Sequence, residues 1–362
     1  MKNASASRFF IFTLMCCVLA TSNVNANASD TTQTKCLLFG KNIPIGLLAS
    51  CYVEKNKWSF NYSFSDNHHK GNKMGTEKVT NDFVFTQSGN MMSPLKMNMK
   101  THLFTAMYGI SNRLSAMATF GIKTNMMNMK PMPAYLAEEL TGMDMSTMKM
   151  PTFCNAYGFG DTKLYLFYNA IKKCNFDIII GGGINIPTGS ITKNGPTIIG
   201  SSKRLAYSMQ LGSGTFDLIP NISCVGQHNF WAYGAEAIAN ITPSTNRLGY
   251  SYGNQFNLNT WISYSFLKIF SATARIKGTS QGDIFGFDPA LYQMRNNDPT
   301  DNPNNYGGKT AIAFAGLNFD IYNENEKYLG VKLECGMPLY QNLNGIQMRT
   351  SSTFQLGINF SY

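Results

Sequence analysis

The chain has 362 residues, of which 14% are charged and 13% aromatic, and its formal net charge is +10. The charged fraction lies well below the roughly 25% of ordinary soluble domains. After the N-terminal residues, no apolar run reaches the about 18 residues that a membrane-spanning helix requires, which excludes a helical membrane protein. The positive charge forms no basic helix or aromatic-interleaved basic patch, so we expect no nucleic-acid partner.

The first residues have the order of a secretory signal peptide. Lys2 and Arg8 precede an apolar run from Phe9 to Ala20, and Ala26-Asn27-Ala28 offers a small-residue cleavage site. A run of this length is too short to cross a bilayer as a helix, which takes about 20 residues. We therefore predict that residues 1–28 are a signal peptide and that the mature chain is exported.

The rest of the chain divides into segments in which apolar and polar residues alternate, which is typical of β-strands. Twelve strands are predicted, at 57–65, 95–108, 113–123, 158–170, 175–186, 213–227, 230–240, 254–266, 269–278, 309–321, 328–337 and 351–362. Short turns alternate with long connections at 66–94, 124–157, 187–212, 241–253, 279–308 and 338–350. The last strand ends the chain on an aromatic residue, Tyr362, which resembles the closing strand of bacterial outer-membrane barrels.

Short turns that alternate with long loops, together with an even strand number, are the pattern of these barrels. The predicted fold is all-β, a transmembrane antiparallel β-barrel of about 12 strands with long extracellular loops and short periplasmic turns. We assign it to residues 57–362, in the bacterial outer membrane, with a periplasmic N-terminal segment at 29–56. The alternative is a soluble all-β sandwich, which would leave sheet edges that a closed barrel removes.

The free energy needed to place a charged side chain in lipid predicts which strand residues face the lumen. A lysine or arginine on the lipid face at mid-bilayer costs roughly 2–4 kcal/mol, so charged strand residues are expected to point inward. These candidates include both acidic and basic residues, so we predict a polar interior in which some of them form ion pairs with one another. They are Asp161, Lys163, Glu236, Arg275, Lys277, Asp320, Lys332 and Glu334.

Several stretches resemble one family. They are "SPLKMNMKTHLFTAMYG" (93–109), "GFGDTKLYLFY" (158–168), "INIPTGSI" (184–191), "MQLGSGTFDLIP" (209–220), "GFDP" (286–289), "YGGK" (306–309) and "YQNLNGIQ" (340–347). From about residue 51 to its end, the chain resembles the outer-membrane MetA-pathway phenol-degradation-like transporters, in their methionine-rich branch. The resemblance implies an outer-membrane barrel that passes small molecules. Members often carry a His-Met-His cluster before the first strand, where this chain reads "ASCYVEKNKW" without a histidine.

Methionines occur in two groups, and thioether sulfur is both a soft ligand suited to Cu(I) and an adaptable apolar filler. On the strand at 95–108, Met97 and Met99 share one face, while Lys96, Lys100 and His102 share the other. Because the opposite orientation would put two lysines into lipid, we expect Met97 and Met99 to face acyl chains and His102 to face the lumen.

The second group lies at 125–151, where eight of 27 residues are methionine. In a long loop, lipid contact does not explain these side chains. One hypothesis is a packed lid or lumen plug, in which "PAYLAEEL" forms a short helix that caps the barrel mouth. Another is soft-metal capture, with copper as the candidate, and a third is sequence drift. The candidate metal ligands are Met126, Met127, Met129, Met143, Met145, Met148, Met150 and His102.

Other residues give weaker indications. Cys36 and Cys51 bracket a short segment and could form a disulfide in an oxidising compartment. Asp283, Asp288, Asp298 and Asp301 in the 279–308 loop offer oxygen ligands for calcium, although turn formation explains such residues better. No GxSxG motif is present, so no enzyme activity is expected.

We therefore predict a channel or transporter for a small solute, hydrophobic or metal-related, with outer-membrane lipid and that solute as its partners. Alternatives are a surface-exposed structural or adhesive barrel with a closed lumen, and a copper-binding surface protein. No cofactor other than copper is suggested. The sequence does not distinguish between oligomeric states.

Overall fold

A computed structural model describes residues 42–48, 53–142, 144, 150–197, 200–267, 269–324 and 327–362. The predicted signal peptide and the suggested Cys36–Cys51 disulfide lie outside these residues. Within the described ranges, no helix is both long and apolar enough to cross a membrane.

The chain is built mainly from strands, with a few short helices in the long connections. The strands are β1 (Trp58–Gly75), β2 (Glu77–Val79), β3 (Met92–Gly109), β4 (Leu114–Pro131), β5 (Phe153–Phe159), β6 (Thr162–Lys172), β7 (Phe176–Ile186), β8 (Asn194–Thr197), β9 (Gly200–Arg204), β10 (Asp217–His228), β11 (Trp231–Asn240), β12 (Tyr250–Ser251), β13 (Gln255–Leu267), β14 (Phe270–Gln281), β15 (Phe285–Gly286), β16 (Gly308–Glu324) and β17 (Lys327–Ser361). The helices are α1 (Asn81–Thr86), α2 (Ala134–Thr141) and α3 (Pro289–Tyr292), with 3₁₀ turns η1 (Tyr207–Met209) and η2 (Pro299–Asp301).

Eleven of these strands form a closed antiparallel barrel. Their order is β1, β3, β4, β6, β7, β10, β11, β13, β14, β16 and β17, and β17 pairs with β1 to close the ring. An odd number of strands cannot alternate in direction around a closed ring. This ring closes because β17 is long enough to supply two antiparallel segments. Its first arm (327–343) pairs with β16 and its second arm (343–361) pairs with β1. The wall is therefore crossed by twelve antiparallel segments, as predicted.

The two arms of β17 meet at a tight turn. Gly345 has a φ of +57°, a left-handed conformation that favours glycine. Beside it, the backbone N–H of Thr350 donates to Gln341 Oε1 at 2.8 Å, and Gln341 Nε2 donates back to the Thr350 carbonyl at 3.0 Å. The predicted 338–350 loop is therefore a hairpin tip.

The predicted alternation of short turns and long loops is confirmed, but the strands run further into the loops than predicted. β1 continues to Gly75 and β4 to Pro131. On β1 and β3 the outward face above the membrane is polar: the Asp66 carboxylate lies 3.5 Å from His68 and 4.0 Å from Lys100. The sequence prediction recognised strands by apolar residues on their outward face. The extension of β1 carries polar residues on that face, so it was not predicted.

Aromatic side chains form a band around the outside near the short turns. Trp58 packs on Tyr108 with ring centroids 4.8 Å apart, and Trp231 packs on Tyr264 at 4.7 Å. Such girdles mark the membrane–water interface of outer-membrane barrels. They define the outward face and, by alternation along each strand, the inward one.

A buried charge network crosses the inner wall. The Arg275 guanidinium forms a bidentate ion pair with the Glu334 carboxylate and donates to Asn259 Oδ1 at 2.9 Å. Asn259 Nδ2 in turn donates to Glu236 Oε2 at 3.2 Å. The guanidinium carbon also lies 4.0 Å from the centre of the Phe314 ring. The network thus links β11, β13, β14, β16 and β17 from inside.

The segment 42–48, which we name the plug segment, lies against this inner wall rather than beside the barrel. The backbone N–H of Leu48 donates to Glu236 Oε1 at 2.8 Å, and Lys332 Nζ donates to the carbonyl of Ile43 at 2.8 Å. Ile45 packs where Gly357 has no side chain, since a Cβ there would meet Ile45 Cδ1 at 2.5 Å. The structure thus places part of the segment predicted to be periplasmic (29–56) inside the barrel.

Arg275→Gln is expected to lower the free energy of unfolding by about 3–5 kcal/mol, because it leaves the buried Glu334 carboxylate without its ion-pair partner. Urea unfolding of the refolded barrel, followed by heat-modifiable migration, measures this change. The exposed Arg113 provides the control, and Arg113→Gln should change stability by no more than about 0.5 kcal/mol. Equal effects of the two substitutions would contradict the structural role of the network.

Candidate functional site

All eight charged residues predicted to face the lumen occupy inward-facing positions. Lys163 alternates with the exposed Leu164 and Leu166, and Lys277 lies on the same face as Arg275. Asp320 accepts from the Tyr328 hydroxyl at 2.7 Å. Glu236, Arg275, Lys332 and Glu334 belong to the network that contacts the plug segment.

Asp161 organises the start of the long connection between β7 and β10. One carboxylate oxygen accepts from the Gly189 backbone N–H at 2.9 Å. The other accepts from the Ser213 backbone N–H and hydroxyl, both at 2.8 Å, and from Asn185 Nδ2 at 3.2 Å. This inward charge therefore fixes both ends of a loop that turns back into the barrel.

A sulfur-rich apolar cluster fills the opposite end of the lumen, inside the long loops. We name it the mouth cluster, and its fully buried members come from three parts of the chain: Met92 and Met97; Met127, Met129, Cys154 and Ala156; and Leu205, Ala206, Met209 and Leu211. Met99, Met150 and Met348 pack against it. The cluster joins strands β3, β4 and β5 to the loop that follows β9.

The expected orientation of β3 is wrong. Met97 is only 2% exposed and packs in the mouth cluster, and Met99 packs against it, so both point inward. His102 lies on the outer face, where its Nδ1 is 2.9 Å from the Tyr62 hydroxyl and its ring is 5.0 Å from Phe64. The charge argument assumed mid-bilayer depth, whereas Lys100 stands above the aromatic band beside Asp66.

The mouth is closed by residues 205–211, which we name the lid segment. Lys123 Nζ donates to the Leu211 carbonyl at 2.9 Å, and Asn125 Nδ2 donates to the Ser208 carbonyl at 3.2 Å. Met209 and Leu211 are fully buried among the methionines of the wall. The lid segment is therefore bonded to β4 through its backbone and packed against it through its side chains.

Tyrosine hydroxyls attach the lid segment to the neighbouring loops. Tyr252 donates to the Tyr207 carbonyl at 2.7 Å, and the Tyr207 hydroxyl accepts from the Asp288 backbone N–H at 2.9 Å. The Tyr306 hydroxyl accepts from the Ser208 N–H at 3.1 Å and donates to the Thr300 carbonyl at 2.6 Å. Burial raises the pKa of Tyr207 to about 12, so this phenol stays a neutral hydrogen-bonding group.

The lid expected from residues 124–157 is in a different place. "PAYLAEEL" does contain a helix, α2, but Tyr135 on it is 72% exposed, and over residues 134–140 only Ala137 is fully buried, against Phe85 and Met132. The helix packs on α1 at the rim, and the next long loop closes the mouth instead. The sequence offered little sign of this, because the lid segment "LAYSMQL" contains only one methionine.

The candidate copper ligands are dispersed. Met127 and Met129 lie in the mouth cluster and Met150 packs against it, whereas Met126 points to the other face of β4 and His102 is outside the barrel. Met143, Met145 and Met148 lie outside the described residues. In the described part of the chain, no three His, Cys, Asp or Glu side chains are grouped so that they could share a metal ion. Sequence reasoning missed Met92, Met209 and Cys154, which are remote from one another in the chain.

No family profile matches this sequence, and no curated relative does. Among solved structures, an outer membrane channel from Pseudomonas putida F1 superposes with a TM-score of 0.54 at 12% identity, covering 85% of this chain and 96% of the other. The NanC porin (TM-score 0.40, 7% identity, 83% and 98% covered) and a Pseudomonas aeruginosa FadL homologue (0.39, 11%, 84% and 89%) align too weakly to support an argument. The fold is therefore that of an outer-membrane barrel. Membership of the methionine-rich branch stays a prediction.

Tyr306→Phe is expected to loosen the lid segment, because it leaves the Ser208 N–H and the Thr300 carbonyl without a partner, at about 1–3 kcal/mol for a buried group. Hydrogen exchange in peptides covering 205–211 should become about tenfold faster, which corresponds to about 1.4 kcal/mol. Tyr292→Phe, which alters a surface tyrosine, is the matched control. Unchanged exchange in both variants would show that Tyr306 does not hold the lid segment.

Proposed function

We propose that the protein is an outer membrane channel for a small solute, closed at rest by two parts of its own chain. A single observation carries the proposal: two segments outside the wall, the plug segment and the lid segment, pack inside the barrel against inward-facing side chains of the wall. Barrels of eight strands are narrow enough for wall side chains to fill them, and wider barrels enclose cavities or channels. Twelve segments make a wall that needs additional filling to be closed.

Neither closing segment belongs to the barrel wall. The plug segment precedes β1, and the lid segment lies between β9 and β10. The backbone of each segment forms hydrogen bonds to wall side chains such as Glu236, Lys332 and Asn125, and each segment also buries apolar side chains against the wall. Either segment could therefore leave the lumen without breaking a strand pairing, which is what a gate requires.

The lining differs between the two ends of the lumen. Near the plug segment it is charged, with Arg275 and Glu334 paired; at the mouth it is apolar and rich in sulfur. A solute entering from the mouth would first meet methionine side chains, which adapt to varied apolar shapes. This favours a hydrophobic or metal-related solute. The similar structure from Pseudomonas putida F1 is an outer membrane channel, and we propose no catalytic role.

The main alternative is a structural or adhesive barrel whose lumen stays closed. The tyrosine contacts of the lid segment favour it, because Tyr207, Tyr252 and Tyr306 give the closed mouth a well-bonded structure. A copper-binding surface protein is the other alternative. Conductance distinguishes a channel from a closed barrel.

Planar-bilayer recordings of the refolded mature chain test the channel. Replacing residues 205–211 by a Gly-Ser linker of equal length should raise single-channel conductance, and replacing 42–48 as well should raise it further. The same replacement in the exposed helix α2 should have no effect. A double variant that passes no current, yet keeps the heat-modifiable migration of a folded barrel, would overturn the channel in favour of the closed barrel.

A further inference from the structure

A small cavity lies beneath the lid segment, between the mouth cluster and the loop that carries η2. Its volume is about 30 Å³. A cavity of roughly 10–15 Å³ on the same measure accommodates one water molecule. This space therefore admits a single ion or a pair of waters, and it is too small for an organic solute.

The cavity is lined by both sulfur atoms and carboxylates. The sulfur atoms belong to four methionines and one cysteine: Met92, Met127, Met129, Met294 and Cys154. Asp298 and Asp301 also line it. Thioether and thiolate ligands select soft cations such as Cu(I), whereas Mg²⁺ and Ca²⁺ require sets of oxygen ligands.

The two carboxylates are unusual in being deeply buried. Asp298 and Asp301 are each 8% exposed. Asp298 Oδ1 accepts from the Thr300 N–H at 2.9 Å and from its hydroxyl at 2.8 Å, and thus caps η2. Among the described residues, none donates a hydrogen bond to the Asp301 carboxylate or forms an ion pair with it.

Within the ranges that the structure describes, no lysine or arginine forms an ion pair with Asp298 or Asp301. Arg204 also lines the cavity, but its guanidinium lies 3.4 Å from the carboxylate of Asp288 and donates to the Ile191 carbonyl at 2.8 Å. Burying an ionised carboxylate without a partner is costly. Either a proton or a bound cation removes that cost, whereas an apolar filler does not.

We infer that this cavity is a binding site for one soft monovalent cation, Cu(I), held by neighbouring methionine sulfurs and by Cys154, whose thiol releases its proton to solvent when the ion binds, with Asp301 supplying negative charge. Packing alone explains buried methionines, since methionine is an adaptable filler. It does not explain a buried, unpartnered carboxylate on the same cavity wall. The site stands independently of the proposed channel, because a closed barrel could bind the ion equally well.

The test uses the full mature chain, refolded in detergent and kept anaerobic with ascorbate. Cu(I) affinity is measured by competition with bicinchoninate, and Ag(I), a redox-inert probe of the same ligands, is counted by mass spectrometry after desalting. One equivalent of each ion is expected. Met127→Leu with Met129→Leu, a nearly volume-conserving change, should weaken binding at least tenfold, as should Cys154→Ala.

Matched controls separate this site from others. Met74→Leu, Met337→Leu and Cys335→Ala alter exposed sulfurs and should leave binding unchanged. Asp301→Asn keeps the shape but removes the charge, and it should weaken binding without changing heat-modifiable migration.

Two outcomes would overturn the inference. The first is that the unaltered chain binds no more Cu(I) or Ag(I) than the variant with Met127→Leu and Met129→Leu. The other is binding that survives Cys154→Ala but is lost when Met143, Met145 and Met148 are changed to leucine. Conductance measured on the same preparations reports separately on the channel, so the failure of one proposal does not decide the other.

Discussion

The buried ion pair between Arg275 and Glu334 is the interaction on which the rest of the lumen depends. Two charges inside a barrel wall are stable only when each is bonded, and here the pair extends through Asn259 to Glu236. Glu236 then accepts from the Leu48 backbone. The same network that satisfies the buried Arg275 and Glu334 charges therefore also contacts the N-terminal segment.

Both ends of the lumen are closed by segments that combine hydrogen bonding with apolar burial. At the plug segment, polar side chains of the wall bind backbone atoms, and Ile43 and Ile45 are buried against the wall. At the lid segment, Met209 and Leu211 are fully buried and the backbone is bonded to Lys123 and Asn125. The apolar cluster at the mouth is the larger of the two, and we expect the mouth to be the more resistant closure.

The wall could be predicted from the sequence because alternation is local. The exposed Leu164 and Leu166 enclose the buried Tyr165, as the pattern indicated. The orientation of β3 could not be predicted, since the cost of an outward Lys100 depends on its height, which the sequence does not give. The closing segments were missed because their contacts, such as Ser208 with Asn125, join residues 83 apart.

The most direct test of this account is amide hydrogen exchange of Leu48 in the refolded chain, resolved by NMR. If Glu236 holds the plug segment inside the barrel, this amide exchanges slowly, and Glu236→Ala makes it fast while the strand amides stay protected. An amide that exchanges rapidly in the unaltered chain, with no further change in Glu236→Ala, would contradict a lumen closed by the N-terminal segment.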